Sequence, residues 1–274
     1  MSLGNTAQRV IVAFISIPLI LALCYLGNLY FFLFAAMVGL VSFYEFYSLA
    51  KNRGINGNLP LGLITIFLIL VNNYHHFVSL YTLFLVRIII LTLYDLFRNN
   101  GSAINNIGTT LFGVMYIGML SGALISIREI YPAESDFYAR GGYIIIAMLA
   151  SIWLCDSAAF FIGVRFGKHK LFPRVSPKKS WEGAIAGFVF SVLTMIAAKF
   201  LVLGFLSWTT IIAFGIIVGI TGQLGDLIES LIKRDAGVKD SSTLIPGHGG
   251  IFDRFDSLLY ISPVIYIYLE YVVL

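Results

Sequence analysis

What most constrains this chain is a succession of nine apolar runs, each about as long as a bilayer is thick. They lie at roughly 10–27, 29–49, 60–74, 77–97, 106–127, 141–163, 183–203, 208–232 and 255–274. About 20 apolar residues in helical conformation cross the ~30 Å hydrocarbon core. Backbone polar groups in lipid must be satisfied within the segment, and these runs are too long and continuous for barrel strands. The reading is therefore an all-α polytopic membrane protein with about nine transmembrane helices. Composition agrees: the chain is 59% hydrophobic and 12% charged, with mean hydropathy +0.90, whereas soluble domains carry about a quarter charged residues. The run at 60–74 is short for a straight span. The first run follows Arg9 and lacks a clear A-x-A cleavage site, so it reads as a retained helix. Cys24 and Cys155 both fall inside apolar runs, form no CxxC pair, and read as small buried hydrophobes.

Loop charges orient the runs. Arg9 precedes the first, Lys51 and Arg53 follow the second, and Arg98 follows the fourth. Arg165, Lys168, Lys170, Arg174, Lys178 and Lys179 follow the sixth, and Lys233, Arg234, Lys239 and Arg254 follow the eighth. Alternate connections at 28, 75–76 and 204–207 carry no Lys or Arg, and the loop at 128–140 sets Arg128 and Arg140 against Glu129, Glu134 and Asp136. The positive-inside rule then expects a cytoplasmic N-terminus and both basic loops in the cytoplasm. It also brings Asp156, Asp226, Asp253 and Asp256 to one depth, near the cytoplasmic face. Charges in spanning segments are costly and face partners or water-filled cavities.

The polar residues concentrate in Ser230–Asp256, SLIKRDAGVKDSSTLIPGHGGIFDRFD, between two apolar flanks. Cations for phosphate oxygens, carboxylates for a divalent ion and glycines for close backbone approach are what a polyanionic ligand requires. Asp226, Glu229, Ser230 and Lys233 recur at i, i+3, i+4 and i+7, on one helix face, with Gly219, Gly222 and Gly225 leaving room for a helix or a ligand. Glu229 also reads as an ordinary partner of Lys233. Asp253 and Asp256 are three apart, a spacing suited to sharing a cation, and equally suited to complementing a helix N-terminus. Before them, His248 is a weak signal alone, and Gly249 and Gly250 offer backbone N–H groups to phosphate. The basic loop after the sixth run has three readings: a positive-inside anchor, a contact for anionic headgroups, or a grip on a triphosphate. Its Ser176-Pro-Lys-Lys-Ser180 followed by Glu182-Gly183 reads as a rigid turn feeding a helix that Ser180 caps. Arg87, midway in the fourth run, reads as snorkelling or pairing with an acid such as Glu45.

These residues resemble the signature of phosphatidate cytidylyltransferases, the CDP-diacylglycerol synthases. Ser230, Lys233, Arg234, Lys239, Asp240, Ile245, Pro246, Gly247, His248, Gly249, Gly250, Asp253, Arg254 and Asp256 match it without departure. Asp156, Gly163, Gly167, Ser176–Ser180 and Glu182-Gly183 also fit. The match is sharp over 150–260 and rests on hydropathy before that. The resemblance implies transfer of CMP from CTP to phosphatidic acid, with Mg²⁺ and room for a second cation such as K⁺, in a homodimer that binds no nucleic acid. It assigns Asp226, Asp253 and Asp256 to metal. Lys233, Arg234, Lys239 and Arg254 would hold phosphates, with Asp240 and His248 in the same catalytic segment. Lys178, Lys179 and Ser180 would contact the triphosphate or lipid phosphate, and Asp156 and Glu182 would orient those cations or touch nucleotide. The expected organisation is an N-terminal scaffold over 1–104, a middle helix and external loop over 105–140 with a possible dimer contact, and a catalytic region over 141–274; the small-residue face Gly118–Gly122 would pack within the chain or between subunits. In a bacterium such a protein would sit in the plasma membrane, with its active site facing the cytoplasm. The rivals are a CTP-dependent lipid kinase, a cytidylyltransferase for another lipid phosphate, and an ion-coupled transporter. A transporter should show midplane charges and repeat symmetry, and neither is visible in the sequence.

Overall fold

The structure, a computed structural model, describes residues 5–245 and 249–273. His248, with Pro246 and Gly247, lies outside the described residues. Helix occupies each apolar run: α1 Asn5–Leu26, α2 Asn28–Asn52, α3 Leu59–His75, α4 Leu80–Leu96, α5 Ala103–Gly113, α6 Leu120–Arg128, α7 Ala139–Phe166, α8 Trp181–Leu201, α9 Trp208–Asp235 and α10 Phe252–Tyr268. A π-helical stretch, Val114–Met119, joins α5 and α6 into one rod, and a second, Leu269–Val273, prolongs α10. Among the described residues, six rods are long and apolar enough to cross a membrane: Asn28–Asn52, Ala103–Arg128, Ala139–Phe166, Trp181–Leu201, Trp208–Asp235 and Phe252–Val273. The apolar stretches Val12–Leu26 and Leu59–His75 are shorter, and the 17-residue α4 carries Arg87 and Asp95.

Chain punctuation follows turn chemistry. Gly27 and Asn28 take positive φ and separate α1 from α2. Asn58, Ser79, Ser102 and Ser180 cap α3, α4, α5 and α8, each accepting the backbone N–H three residues on. Strands form in the basic loop, where β1 Lys170–Phe172 and β2 Ser176–Ser180 pair antiparallel, Lys170 opposite Ser180 and Phe172 opposite Ser176. Pro173 and Pro177 disfavour helix there, and a two-stranded ribbon tolerates a strand proline because each strand keeps a free edge.

The chain divides into two compact units. The first holds α1 to Ile20, Asn28–Ser126 and Ile232–Phe255. Its core centres on Phe31, Phe43, Ile66, Ile69, Leu70 and Ile117, all fully buried. Arg98, expected only as a loop cation, also donates to the carbonyls of Asn56 and Gly57 at 2.9 and 3.2 Å and fixes the α2–α3 connection.

The second unit holds 21–27, 127–231 and 256–274. Glycines set its helix spacing. A Cβ on Gly183 of α8 would stand 2.6 Å from the Ala159 carbonyl of α7. On α9, Gly222 faces Ile261 and Gly225 faces Tyr260, both of α10. The close approach expected at these glycines is made by a helix. Arg128, placed by the sequence in a surface loop, is fully buried. Its guanidinium donates to the carbonyls of Cys24, Tyr25 and Tyr138 at 2.7, 2.9 and 3.2 Å and lies 4.1 Å from the Tyr138 ring centre. It thus satisfies the last carbonyls of α1, which have no partner within their own helix.

Candidate active site

The signature residues fall into two clusters, one in each unit. In the first unit, Lys233 lies buried near the end of α9, and its Nζ donates to Asp253 Oδ1 at 2.6 Å. Only 11% of the Lys233 side chain and 3% of the Asp253 side chain is exposed, so each charge is held mainly by protein. Asp253 Oδ2 accepts from the Ser241 N–H and Oγ, both at 2.9 Å, and from the Gly250 N–H at 2.7 Å. One carboxylate therefore closes the loop between α9 and α10 upon itself. An antiparallel bridge between Ile245 and Gly249 narrows the loop at its tip. Gly249 sits at φ +83°, and a Cβ there would stand 2.7 Å from Asp253 Oδ2. The Gly250 N–H, a candidate phosphate donor in the sequence, is turned to Asp253.

A residue outside the signature completes this cluster. Glu45 of α2 is 1% exposed. Its Oε1 accepts from Ser242 Oγ at 2.5 Å and the Ile251 N–H at 3.1 Å. Its Oε2 accepts from Ser241 Oγ at 3.0 Å and the Phe252 N–H at 2.7 Å. Aromatic contacts seat the same turn: Phe252 meets Tyr116 edge-on, and Phe255 meets Phe34. Glu45 is therefore engaged by this loop, not by Arg87. The sequence did hold one signal, a lone carboxylate in the run at 29–49, because an acid in a spanning segment needs a partner. Ser241 and Ser242 gave none.

Around this buried centre, Arg234, Lys239, Asp240 and Arg254 are exposed, and Arg234 Nη1 donates to the Val238 carbonyl at 2.8 Å.

In the second unit, Lys179 Nζ pairs with Asp226 Oδ2 at 2.5 Å, with side chains 27% and 35% exposed. Ser230 Oγ donates to Asp226 Oδ1 at 3.3 Å. Ser180 caps α8 as the sequence expected, its Oγ accepting the Gly183 N–H at 3.2 Å. Glu182 accepts from His169, at 2.7 Å from Nδ1 and 3.2 Å from the backbone N–H, which ties the start of the hairpin to the start of α8. Lys178 and Asp156 are exposed. Asp256 is buried, and its Oδ1 accepts the Ser257 N–H at 2.6 Å. Glu229 is fully buried.

Among the described residues no three His, Cys, Asp or Glu side chains gather to hold a metal by themselves. Mg²⁺ commonly takes one or two carboxylates and completes its shell with water and substrate phosphates. Asp226 fits that pattern, as a partly exposed carboxylate on a structured helix.

The sequence profile described as "Cytidylyltransferase family" matches residues 7–272. The chain is 34% identical to a phosphatidate cytidylyltransferase of Staphylococcus haemolyticus, over 95% of this chain and 98% of that protein. It is 30% identical to one of Bacillus subtilis, over 94% and 96% of the two chains. A third, from Synechocystis, is 31% identical over 94% of each.

Proposed function

This chain belongs to the cytidylyltransferase family, and from that premise we propose that it transfers CMP from CTP to phosphatidic acid. The lipid phosphate attacks the α-phosphorus of CTP, the bond to the bridging α–β oxygen breaks, and pyrophosphate leaves with that electron pair. CDP-diacylglycerol stays in the membrane. The nucleophile is already an anion, so no strong base is needed. The difficulty lies in bringing two anions together and in the charge on the leaving group, both of which positioned cations address.

The observation that carries this reading is the convergence of signature residues Lys233 and Gly250 on the buried carboxylate of a third, Asp253. Lys239, Arg254 and Arg234 are exposed for phosphate oxygens beside it. Lys178 and Lys179 take the same role in the second cluster, with Asp156 and Glu182 orienting those cations or contacting nucleotide. Ser180, Gly249 and Gly250 shape backbone near phosphate, and Asp240 and His248 belong to the catalytic segment. Of the carboxylates proposed for metal, Asp226, Asp253 and Asp256, the partly open Asp226 would hold Mg²⁺, which would neutralise phosphate charge when bound, and the buried Asp253 and Asp256 would order the segments around them; a second cation such as K⁺ belongs to the same proposal. We further propose nine spans with a cytoplasmic N-terminus, an active site facing the cytoplasm, a homodimer, and the division at 104 and 140 into scaffold, middle helix and catalytic region.

The test uses purified protein in detergent with phosphatidic acid, Mg²⁺ and CTP labelled at the α- or the γ-phosphate. Label from the α-position in the lipid product is expected. Label from the γ-position would make the protein a lipid kinase, and transfer of neither label by folded protein would return the transporter reading.

A further inference from the structure

We infer that Glu45 is the positioning residue of the signature loop: its buried carboxylate, on a helix outside the signature, fixes where Asp253 and Lys233 stand. The inference rests on the reading above for its catalytic meaning, and on geometry for the rest.

A carboxyl group this deeply buried needs hydrogen-bond partners for its oxygens. Glu45 has four, and all come from the loop and the start of α10. Two are serine hydroxyls, which can rotate to other acceptors. The other two are the N–H groups of Ile251, which precedes α10, and of Phe252, which begins it, and neither has an acceptor within the helix. A negative charge there also meets the positive end of the helix. Glu45 thus sets both the position and the direction of the turn from which Asp253 projects.

The link onward is Ser241. Its Oγ lies 3.0 Å from Glu45 Oε2 and 2.9 Å from Asp253 Oδ2, while its N–H donates to Asp253. A hydroxyl has one proton, so Ser241 serves the two acids in turn and ties their positions together. Gly250 fits for the same reason: a Cβ there would lie 2.5 Å from either Glu45 oxygen and closer still to Ser241 Oγ. One of the signature's glycines is required by a residue 205 positions earlier in the chain.

The experiment compares wild type, Glu45→Gln and Glu45→Asp by hydrogen exchange of the full-length protein in detergent, without substrate, alongside steady-state transfer. Glutamine replaces one acceptor by a donor, so two of the four donors face an N–H. Expected is at least ~10-fold faster exchange in peptides covering 241–255, with α7 and α8 unchanged. In transfer, kcat should fall ~30-fold or more while KM for CTP moves less than ~3-fold, and aspartate should recover part of kcat. If the glutamine variant does not fold, Ser242→Ala removes one donor and should raise exchange in the same peptides by a smaller factor. Unchanged exchange at 250–252, or faster exchange across all helices alike, would overturn the inference. Because exchange is read without substrate, a wild type that transfers no label but shows the local effect would sink the cytidylyl reading and leave the loop-positioning role standing.

Discussion

The Lys233–Asp253 pair and the Lys179–Asp226 pair look alike in sequence, each a lysine and an aspartate singled out as candidates for phosphate and metal, yet they are built differently. The first is nearly sealed, and its carboxylate accepts from three further donors. The second is about a third exposed, and a serine at 3.3 Å is its additional contact to Asp226. A sealed, fully bonded carboxylate orders the chain around it, whereas a half-open one can exchange its partner for a ligand. We read the first as the support of the site and the second as a surface that meets substrate.

The sharpest way to break this contrast is Asp253→Asn. It breaks a buried ion pair and weakens the acceptor that Ser241 and Gly250 share; removing one partner of such a pair typically costs 3–5 kcal/mol, so transfer should fall by ~10³-fold and the melting temperature should drop. Residual transfer above a tenth of wild type would contradict the assignment. Next, Asp226→Asn should cost ~10²-fold in transfer, yet a partly exposed pair contributes at most ~1 kcal/mol, so unfolding should stay near wild type. Gly250→Ala tests the packing alone. Its methyl overlaps Glu45 and Ser241, and overpacking of this kind costs ~1–3 kcal/mol in thermal unfolding. The smallest effect belongs to Lys178→Ala, an exposed lysine, with a rise of ~3–10-fold in KM for CTP and stability unchanged within ~0.5 kcal/mol.

The helices were legible because nine apolar runs leave the backbone little choice, and the cap at Ser180 was legible because it is local; the glycines of α9 marked a face of close approach without naming α10 as what approaches. The hairpin at Lys170–Ser180 was read only as a rigid turn, since three- and five-residue strands give too little alternation to register. Arg128 looked like a loop charge because its acceptors, the carbonyls of Cys24 and Tyr25, lie about 100 residues away and backbone carbonyls leave no mark in a sequence. The signature named Asp253 and Lys233 but not Glu45, because a motif reads along the chain while the clamp on this loop comes from α2.

The most direct test of the account unfolds Asp253→Asn and Asp226→Asn side by side in one detergent and measures α-label transfer on the same samples. The account predicts that both lose transfer while only Asp253→Asn loses several degrees of melting temperature. Equal melting temperatures for the two variants, or wild-type transfer by either, would contradict the division between a sealed support and an open substrate surface.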